Sequence, residues 1–563
     1  MNYGTRFFLS EREPRKPQNS KSNSKEQVAT SQKELKGDLA GKMRPCQMIS
    51  GFYVVGVAVN KPAFWAITIA LAFFAINLAQ IGRFGMSFDE PEGMERGRQT
   101  VALVAGLFGK EDESQMDQGS DWLHHHPSFY ATCNYGVSCF LIQRLGWAPI
   151  PAGHFLNLLT ASAGLVVLFY LGRRLFNPTV GLVAVIFMVL FPRFIAHAHF
   201  NAKDVPVMVL GTLALLLLHV AAGRGQTRYW ILAGLGFAAA VTTKLDGLFV
   251  LPIFLIPWLV RSLRSNHRRS DLRKFGWFSA ASFGFIFLFW PELWTDPLRL
   301  IRSVLDFSGG FRDTETSYLG QSYPMNYLPW HYIPLNLLSV TPLALVAAVG
   351  LGAAWSLRDL FRWRAAFEHT LLWCWILAPV LPRLLPGVTR YDGMRHVFLV
   401  VPALALLAGF GVAQLLAHCQ NRAGRRLVPA ALCGALIWSG WQVVECHPCE
   451  AYYLNEAVRA TVPGPKLGDY FDFFGWGSLN TQGVEWINAH APPKATVAMG
   501  EDVSRLHFYG LRDNLQPIRD VDQADYAVVG CWRQDLMEHF HTAPVFSVRC
   551  YDMNLVCVYA KGN

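Results

Sequence analysis

The sequence predicts an α-helical integral membrane protein with about 11 transmembrane helices and a small C-terminal α/β domain. Of its 563 residues, 52% are hydrophobic and 16% are charged, whereas a soluble domain carries about 25% charged residues. Eleven apolar stretches, each of roughly 14 to 24 residues, are near the length that crosses a hydrocarbon core of about 30 Å. After Val444 the pattern changes to short helix-like and strand-like pieces.

The first 51 residues differ from those that follow. They are rich in Ser, Lys, Gln, Glu and Arg and have almost no apolar periodicity, so they cannot bury enough apolar surface to offset the entropy of ordering. We therefore predict a disordered basic tail over 1–51. A secretory signal peptide has its apolar region within roughly the first 15 to 30 residues. The first long apolar run starts near Pro62, so we predict that it is a retained first span.

Eleven predicted spans follow one another in segment 52–444, the predicted membrane domain. Their approximate bounds are 62–82, 151–171, 179–196, 205–222, 229–242, 245–260, 275–290, 332–355, 370–385, 397–417 and 427–444. Two long connections, 83–150 and 291–331, form predicted outer loops. Within the first loop, the aromatic stretch that ends near Leu145 contains Asn134, Gln143 and Arg144. This stretch is too polar to span, so we predict a helix at the membrane interface.

Basic loop residues set the predicted orientation, because Lys and Arg accumulate on the cytoplasmic side of a membrane. Alternate loops carry clusters that begin at Arg173, Arg224, Arg261, Arg358 and Arg422. The opposite loops hold fewer basic residues, some with an Asp nearby. The N-terminus is therefore predicted inside and the C-terminus outside. Because the formal net charge of +10 follows this topology, no nucleic-acid partner is needed to explain it.

The segment 445–563 is predicted to be a soluble α/β domain on the outer face. The sequence predicts a helix over 484–490, strands starting at Ala495 and Tyr526, and a hairpin over 545–560 that turns near Asp552. Most of the 11 cysteines fall in the predicted outer segments, where disulfides can form. The CHPC run at Cys446 could be a disulfide or redox pair, but it lacks a thioredoxin-like strand and helix, so packed thiols or structural bridges are favoured.

Ionisable residues concentrate at the predicted outer ends of the spans, where such residues are functional candidates. Cations suit a phosphate, and carboxylates suit a hydroxyl that must lose a proton. Together they indicate transfer from a phosphorylated donor to an alcohol. A purely structural interpretation stays open for two of these groups. Asp89 and Glu90 would be acidic residues at the start of a helix, and Lys203 would lie in a solvated loop. The candidates are Asp89, Glu90, His124, His125, His126, His197, His199, Asn201, Lys203, Asp204, Lys244, Asp246, Arg390, Asp392, Arg395 and His396.

The order and spacing of eight motifs resemble the GT-C glycosyltransferases, particularly the branch with protein O-mannosyltransferases and lipid A aminoarabinose transferases. The motifs are FDEPEG, HHHPSFY, GRRLFNPTVG, FNAKDVP, TKLDG, YLPWHYIP, RYDGMRHVFLVVP and HPCEAYYLNE. In one departure, Pro127 is followed by Ser128 where relatives often have a second proline. The sequence has no WWDYG-like run, which argues against an oligosaccharyltransferase, and the C-terminal domain lacks the repeated motifs of eukaryotic mannosyltransferase domains.

The resemblance implies a GT-C fold in a bacterial inner membrane, with a cytoplasmic N-terminus and a periplasmic C-terminal domain. It implies a polyprenyl-phosphate sugar donor, a lipid, glycan or protein acceptor, contacts with membrane lipids, and an inverting single displacement. Asp89 would be the general base, supported by Glu90. The donor phosphate would contact His126, Lys244, Arg390 and Arg395, and the site would be organised by Asn201, Lys203 and Asp204. No cofactor is required, although His197 and His199 could help the carboxylates to hold a divalent metal.

Two other functions stay open at this stage. A transporter or flippase of lipid-linked saccharides would have polar groups near the bilayer midplane, whereas segments 205–219 and 275–290 are almost free of ionisable residues. A transferase of phosphorylated head groups would need a covalent or metal-bound phosphate site, so metal dependence distinguishes it. The sequence favours the glycosyltransferase and leaves the sugar and the acceptor open.

Overall fold

The computed structural model describes most of the chain beyond residue 60. The described residues are 52–54, 57–59, 61–108, 126–263, 268–309, 315–362, 366–419, 421, 423–471, 477–500, 503–507, 509–530, 540 and 542–561. The predicted tail over 1–51 lies outside them, as do His124 and His125. The chain divides into the units Met1–Asn60 and Lys61–Asn563. In the first unit, β1 (Phe52–Val54) and β2 (Val57–Val59) pair in antiparallel fashion.

Helices form most of the second unit up to Cys446. The first ten are α1 (Lys61–Ala79), α2 (Asp89–Leu107), α3 (Phe129–Leu145), α4 (Pro149–Leu175), α5 (Pro178–Val189), α6 (Pro192–Phe200), α7 (Asp204–Arg224), α8 (Thr227–Thr243), α9 (Val250–Leu263) and α10 (Arg268–Phe289). There follow α11 (Glu292–Thr295), α12 (Pro297–Gly309), the antiparallel strands β3 (Glu315–Tyr318) and β4 (Gln321–Pro324), α13 (Tyr332–Ser339), α14 (Leu343–Phe361), α15 (Ala366–Val380), α16 (Val401–His418) and α17 (Gly424–Cys446). The stretch that ends at Leu145 is helical, as predicted.

Each predicted span coincides with helix in the structure, but fewer helices meet the requirements for crossing a membrane. Within the described residues, seven helical segments are long and apolar enough, or eight if α5 and α6 form one span. Helix α8 has 17 residues and α15 has 15, while α10 begins with a charged turn. The protein is therefore a multi-span membrane protein, and the count of eleven crossings stays a prediction.

The third predicted span is bent rather than straight. Helices α5 and α6 meet at 71°, and α6 starts with Pro192. Proline has no backbone N–H and clashes with the preceding helical turn, so the helix direction changes there. The bend leads α6 and the residues after it, including Asn201 and Lys203, into the interior of the protein.

Helix α16 belongs to the most deeply buried candidate span of the described residues, Arg395–His418. It packs closely against α14 and α5. A Cβ added at Gly352 of α14 would lie 1.8 Å from the carbonyl oxygen of Leu407, and one added at Gly409 of α16 would lie 2.4 Å from the carbonyl oxygen of Val180. Small residues permit such close backbone approach. A 3₁₀ turn, Arg395–Val400, leads directly into α16, so the tight packing of α16 also fixes the position of Arg395.

The C-terminal segment folds as an α/β domain, as predicted. It contains α18 (Glu456–Thr461), α19 (Leu467–Tyr470), α20 (Asn480–His490) and five strands, β5 (Thr496–Met499), β6 (Gln516–Pro517), β7 (Tyr526–Gly530), β8 (Phe546–Cys550) and β9 (Met553–Ala560). The strand order is β6-β5-β7-β9-β8, with β6, β5 and β7 parallel and β9 antiparallel to both neighbours. The two-residue strand β6 is too short to produce a sequence pattern, and it was not predicted.

The C-terminal domain contacts the segment that leads from α1 to α2. A Cβ added at Gly85 would lie 2.1 Å from the carbonyl oxygen of Ser478, and the backbone N–H of Met86 donates to Thr481 Oγ1 at 3.4 Å. The guanidinium of Arg505 lies 4.6 Å from the ring centre of Phe88. The domain therefore packs against the residues immediately before Asp89.

Candidate functional site

Two neighbouring carboxylates at the start of α2 have different partners. Glu90 Oε2 accepts the backbone N–H of Ser87 at 2.6 Å, while Glu90 Oε1 lies 2.9 Å from Nε2 of His154. His154 is fully buried on α4. Successive helical residues point in different directions, so Asp89 is directed elsewhere. Glu90 therefore holds the start of α2 in place, and Asp89 remains available to other groups.

Arg395 connects three separate parts of the chain. Its Nη2 donates to Asp89, its Nε donates to Asp204 at 3.1 Å and its Nη1 donates to Asp392 at 3.0 Å. Asp392 has φ = 53°, a left-handed conformation that Asp adopts more readily than most residues. Arginine suits this position because its planar group has several fixed donors.

Asp204 and its neighbours extend the ion pairs beyond Arg395. Lys244 Nζ lies 2.5 Å from Asp204 Oδ1 and 2.9 Å from Asp246 Oδ2, and Arg383 Nη2 lies 2.6 Å from Asp246 Oδ1. Asn201 fixes the start of α7, because its Oδ1 accepts the N–H of Asp204 at 2.8 Å and its Nδ2 donates to the Asp204 carboxylate at 2.9 Å.

These residues form one charge network, which we define as Asp89, Lys203, Asp204, Lys244, Asp246, Arg383, Asp392 and Arg395. Lys203 Nζ joins it 3.4 Å from Asp89 Oδ2. The network so defined contains four carboxylates and four cations. Asp89 keeps 30% of its side chain exposed, compared with 2% for Asp204, 16% for Asp246 and 11% for Asp392. Of the four carboxylates, Asp89 is therefore the one most open to a substrate.

A narrow cleft and a larger apolar groove lie along α2. The cleft has a volume of about 30 Å³ and is lined by Asp89, Glu90, Arg96, Asn201 and Lys203, among others. Further along α2, the groove has a volume of about 310 Å³, with walls that include Val101, Val104, Phe129, Leu288 and Phe289. A polar and charged site thus lies beside an apolar channel.

Burial and neighbouring charges shift the protonation of residues around the cleft. Burial raises the pKa of Asp89, but Arg395 and Lys203 more than offset this and hold the pKa well below its usual range. Burial, together with the positive charges of Arg96, Lys203 and Lys244, lowers the pKa of His126 to about 2. Asp89 is therefore a carboxylate and His126 a neutral imidazole at physiological pH.

The structure brings most of the predicted site residues to the charge network or the cleft, whereas Arg390 and His199 bond elsewhere and His197 reaches the site only through Asn201. The Arg390 guanidinium donates to three backbone carbonyls, those of Val388, Pro329 and Leu385, and Arg390 is buried. His197 Nδ1 lies 3.0 Å from Asn201 Nδ2, and His199 stacks on Phe84 with ring centres 3.8 Å apart. In the part of the chain that the structure describes, no group of three or more His, Cys, Asp or Glu residues could hold a metal ion.

Sequence reasoning missed three residues of this region. His154 supports Glu90, the buried Arg96 lines the cleft, and Arg383 closes the charge network. His154 carried a usable signal, because it is an ionisable residue inside the predicted span 151–171. Arg383 carried the same signal, because it lies inside the predicted span 370–385. Arg96 had no such signal, since it becomes part of the site only through contacts between distant segments.

Comparisons with known proteins agree with this architecture. Residues 143–294 match the family described as dolichyl-phosphate-mannose-protein mannosyltransferase. No curated protein matches the chain significantly. Among solved structures, the chain is similar to apo ArnT from Cupriavidus metallidurans at 15% identity and a TM-score of 0.51, covering 89% of this chain and 98% of ArnT.

A second similar structure is the apo oligosaccharyltransferase from Archaeoglobus fulgidus. The identity is 10% and the TM-score is 0.50, over 83% of this chain and 65% of the oligosaccharyltransferase. At such identities the likeness shows a shared fold. Together with the family match, it confirms the expected resemblance to the GT-C glycosyltransferases.

Proposed function

We propose that this chain, a multi-span membrane protein with the GT-C fold, transfers a sugar from a polyprenyl-phosphate carrier to an acceptor. The main support is the charge network, in which the partly exposed Asp89 shares Arg395 with the buried Asp204. The family matched by residues 143–294 is named for a sugar linked to a lipid phosphate. This favours a donor of the same chemical class.

In charge and polarity, the cleft and the groove match the two parts of such a donor. A phosphate would bind near Lys203 and Arg395, because charge-assisted hydrogen bonds to phosphate are strong. The neutral imidazole of His126 would add a hydrogen bond without a charge. The prenyl chain would follow the groove between Val101 and Phe289, since this channel is apolar and adjacent. Arg96 lines the cleft and supplies a further positive charge for the phosphate.

Donor binding would also change Asp89 from a poor base into a useful one. Arg395 and Lys203 hold the pKa of Asp89 very low, and a carboxylate held in this way is a weak base. A bound phosphate would draw both cations away from Asp89 and raise its pKa. Asp89 could then accept the proton of the acceptor hydroxyl.

The proposed reaction is a single displacement at the anomeric carbon of the sugar. The acceptor oxygen attacks while the bond to the carrier phosphate breaks, so the configuration inverts. Arg395 stabilises the charge that develops on the departing phosphate. Glu90 fixes the start of α2 through Ser87 and His154. We place this reaction at the periplasmic side of a bacterial inner membrane, with a mannose-like hexose or a pentose as the sugar and a lipid, glycan or protein as the acceptor.

A transfer assay in nanodiscs tests this proposal. Purified protein is given a panel of radiolabelled polyprenyl-phosphate sugars with lipid and protein extracts, and Asp89→Asn is compared with wild type. Removing a positioned base costs roughly 10²- to 10⁴-fold in rate. Glu95→Gln is the matched control, because it makes the same change on α2 at a carboxylate that bonds Arg98 and Gln99.

Label should move from one donor with wild type and Glu95→Gln, and the labelled fraction identifies the acceptor. Asp89→Asn should be folded and inactive. The proposal fails if Asp89→Asn is as active as Glu95→Gln. It also fails if no donor is consumed while lipid-linked sugar crosses the bilayer of liposomes, which would support a transporter.

A further inference from the structure

Three cations meet at the turn where α7 ends and α8 begins. Arg224 is the last residue of α7, Arg228 is in the first turn of α8, and Lys274 lies on α10. We define these three residues as the basic cluster. A Cβ added at Gly225, the residue that follows α7, would lie 3.2 Å from Lys274 Nζ. The cluster therefore joins α10 to the turn between α7 and α8.

Tyr229 holds the two guanidinium groups of the basic cluster close to each other. Its hydroxyl accepts from Arg224 Nη1 and from Arg228 Nη2, the latter at 3.5 Å. The guanidinium carbons of both arginines lie 5.0 Å from the centre of the Tyr229 ring. Because like charges repel each other at such distances, this arrangement favours an anion beside the two guanidinium groups.

The protein itself does not supply that anion from the part of the chain that the structure describes. There, Arg224 and Arg228 bond Tyr229 and Gln226, with Arg228 Nε 3.0 Å from Gln226 Oε1, and neither arginine has a carboxylate partner. In the charge network, by contrast, every cation has an aspartate within 3.4 Å. Both arginines are exposed, so an anion from outside the protein can reach them.

The basic cluster and the charge network lie at opposite ends of α7. Asp204, a member of the network, is the first residue of this helix, and Arg224 is the last. Helix α7 is long and apolar enough to cross a membrane. At a rise of about 1.5 Å per residue, its 21 residues extend roughly 31 Å, which matches a hydrocarbon core of about 30 Å. The cluster therefore lies at the head-group level of the leaflet opposite to the charge network.

Exposed apolar side chains continue from the basic cluster along α8 and α10. Ile231 and Leu232 come three and four residues after Arg228, and Trp277 comes three residues after Lys274. At these spacings they share a helix face with the cations, and all three are exposed. A phospholipid has the same order, because its phosphate is at the membrane surface and its acyl chains lie deeper.

We propose that the basic cluster binds the phosphate of an anionic phospholipid, whose acyl chains lie along Ile231, Leu232 and Trp277. Guanidinium groups form strong charge-assisted hydrogen bonds with phosphate oxygens. Basic pockets between membrane helices bind anionic head groups in this way. The bound lipid ties α10 to the turn between α7 and α8. Because the site is separate from the charge network, this inference does not depend on sugar transfer.

The alternative is that these cations only determine the orientation of the chain, as basic residues on the cytoplasmic side do. Arg425 and Arg426, in the first turn of α17, provide a matched control for this alternative. They are exposed and lie in a loop predicted on the same side of the membrane. Replacing both by glutamine removes the same amount of charge as Arg224→Gln with Arg228→Gln.

A lipid titration of the purified full-length protein in detergent tests the inference. Phosphatidylglycerol and phosphatidylcholine with the same acyl chains are added separately, and inorganic phosphate is a third addition. Thermal unfolding and native mass spectrometry report stabilisation and retained lipid. Because a ligand that binds the folded state stabilises it, phosphatidylglycerol should raise the unfolding midpoint of wild type by several degrees, and phosphatidylcholine should change it little. High salt should weaken the effect of phosphatidylglycerol.

The variants locate the site. Arg224→Gln with Arg228→Gln should lose most of the gain and retain less phosphatidylglycerol, while Arg425→Gln with Arg426→Gln should behave as wild type. Arg228→Gln alone, which keeps the bond from Arg224 to Tyr229, should lose part of the gain and serves if the double variant fails to fold.

Four results would overturn the inference. The two lipids could stabilise wild type equally, or the variants of Arg224 and Arg228 could gain as much as wild type. The control could lose as much of the gain as the double variant of Arg224 and Arg228, which would show that only total charge matters. Inorganic phosphate could raise the midpoint as much as phosphatidylglycerol, which would identify a site for a free anion rather than for a lipid.

Discussion

At the scale of single residues, the site is organised around Asp89 and Arg395. Asp89 is the most exposed carboxylate of the charge network, and Arg395 holds it against two other carboxylates. The same cation that keeps Asp89 ionised also weakens it as a base. Binding of an anion is therefore expected to control the reactivity of Asp89.

The pH dependence of the two kinetic constants should differ for this reason. Because the pKa of Asp89 is depressed in the free protein, its ionised form persists as the pH falls through the usual carboxylate range of about 4. The constant kcat/KM reports the free enzyme and kcat reports the complex. Because bound donor phosphate is expected to raise the pKa of Asp89, the acid limb due to Asp89 should appear in kcat at a higher pH than in kcat/KM. Sugar transfer measured from about pH 4.5 to 8 tests this.

The stability of the protein is followed over the same pH range, so that acid unfolding is not mistaken for titration of Asp89. Asp89→Glu, which keeps the carboxylate, should shift the acid limb of kcat. Identical acid limbs in kcat and kcat/KM would contradict the expected effect of the donor phosphate on Asp89.

His154 is expected to act on the reaction through Glu90. Its Nε2 lies 2.9 Å from the Glu90 carboxylate, so His154→Gln should disturb the start of α2 without removing a group from the cleft. We expect a fall in kcat of about tenfold with little change in donor KM. His219→Gln is the control, because this histidine packs against Phe367 and has no place in the charge network. A larger effect on donor KM than on kcat would argue against a positioning role.

At the scale of elements, close helix packing places the site residues. The 3₁₀ turn that carries Arg395 continues into α16, which packs against α14 and α5 at glycines. The bend before α6 similarly leads Asn201 and Lys203 towards the same point. The positions of these side chains therefore depend on helix contacts remote from the cleft.

The packing at Gly352 can be tested by adding one methyl group. A Cβ there would meet the Leu407 carbonyl at 1.8 Å, whereas a Cβ at Gly350 on the same helix would have nothing within 4 Å. Overpacking typically costs about 1 to 3 kcal/mol. Gly352→Ala should therefore lower the midpoint of thermal unfolding in nanodiscs, and Gly350→Ala should leave it unchanged or raise it slightly. Equal midpoints for the two variants would contradict the close contact between α14 and α16.

At the scale of the whole molecule, the C-terminal domain is part of the surroundings of the site. Its contacts at Gly85, Met86 and Phe88 reach the segment that enters α2. Because this domain contacts the segment that enters α2, we expect it to influence which acceptors reach Asp89 in the proposed reaction. Because of this contact, the C-terminal domain is not independent of the membrane helices.

The domain contact should be sensitive to side-chain size at Gly85. A Cβ there would lie 2.1 Å from the Ser478 carbonyl, while at Gly82 the nearest atom would be 3.8 Å away. Gly85→Ala should loosen the domain and increase its release by limited proteolysis, whereas Gly82→Ala should behave as wild type. Cleavage rates that are the same in all three proteins would show that the contact does not hold the domain.

The sequence by itself determined the helical character of the membrane region, the α/β character of the C-terminal domain, and the set of chemical groups available to the site. Apolar length and short-range alternation are local properties, so each predicted span contains helix and the strands after Ala495, after Tyr526 and in the final hairpin are present. The motifs also identified Asp89, Lys203, Asp204, Lys244 and Arg395, which meet in the structure.

Only the tertiary structure decided which of these groups act together. It joined Arg383 to the charge network, placed His154 against Glu90 and assigned Arg390 to backbone carbonyls. The physical reason is that charge pairing and desolvation depend on distances of a few ångströms between segments far apart in the chain. Such distances are set by helix packing and by the bend before α6, and neither leaves a local signature in the order of the residues.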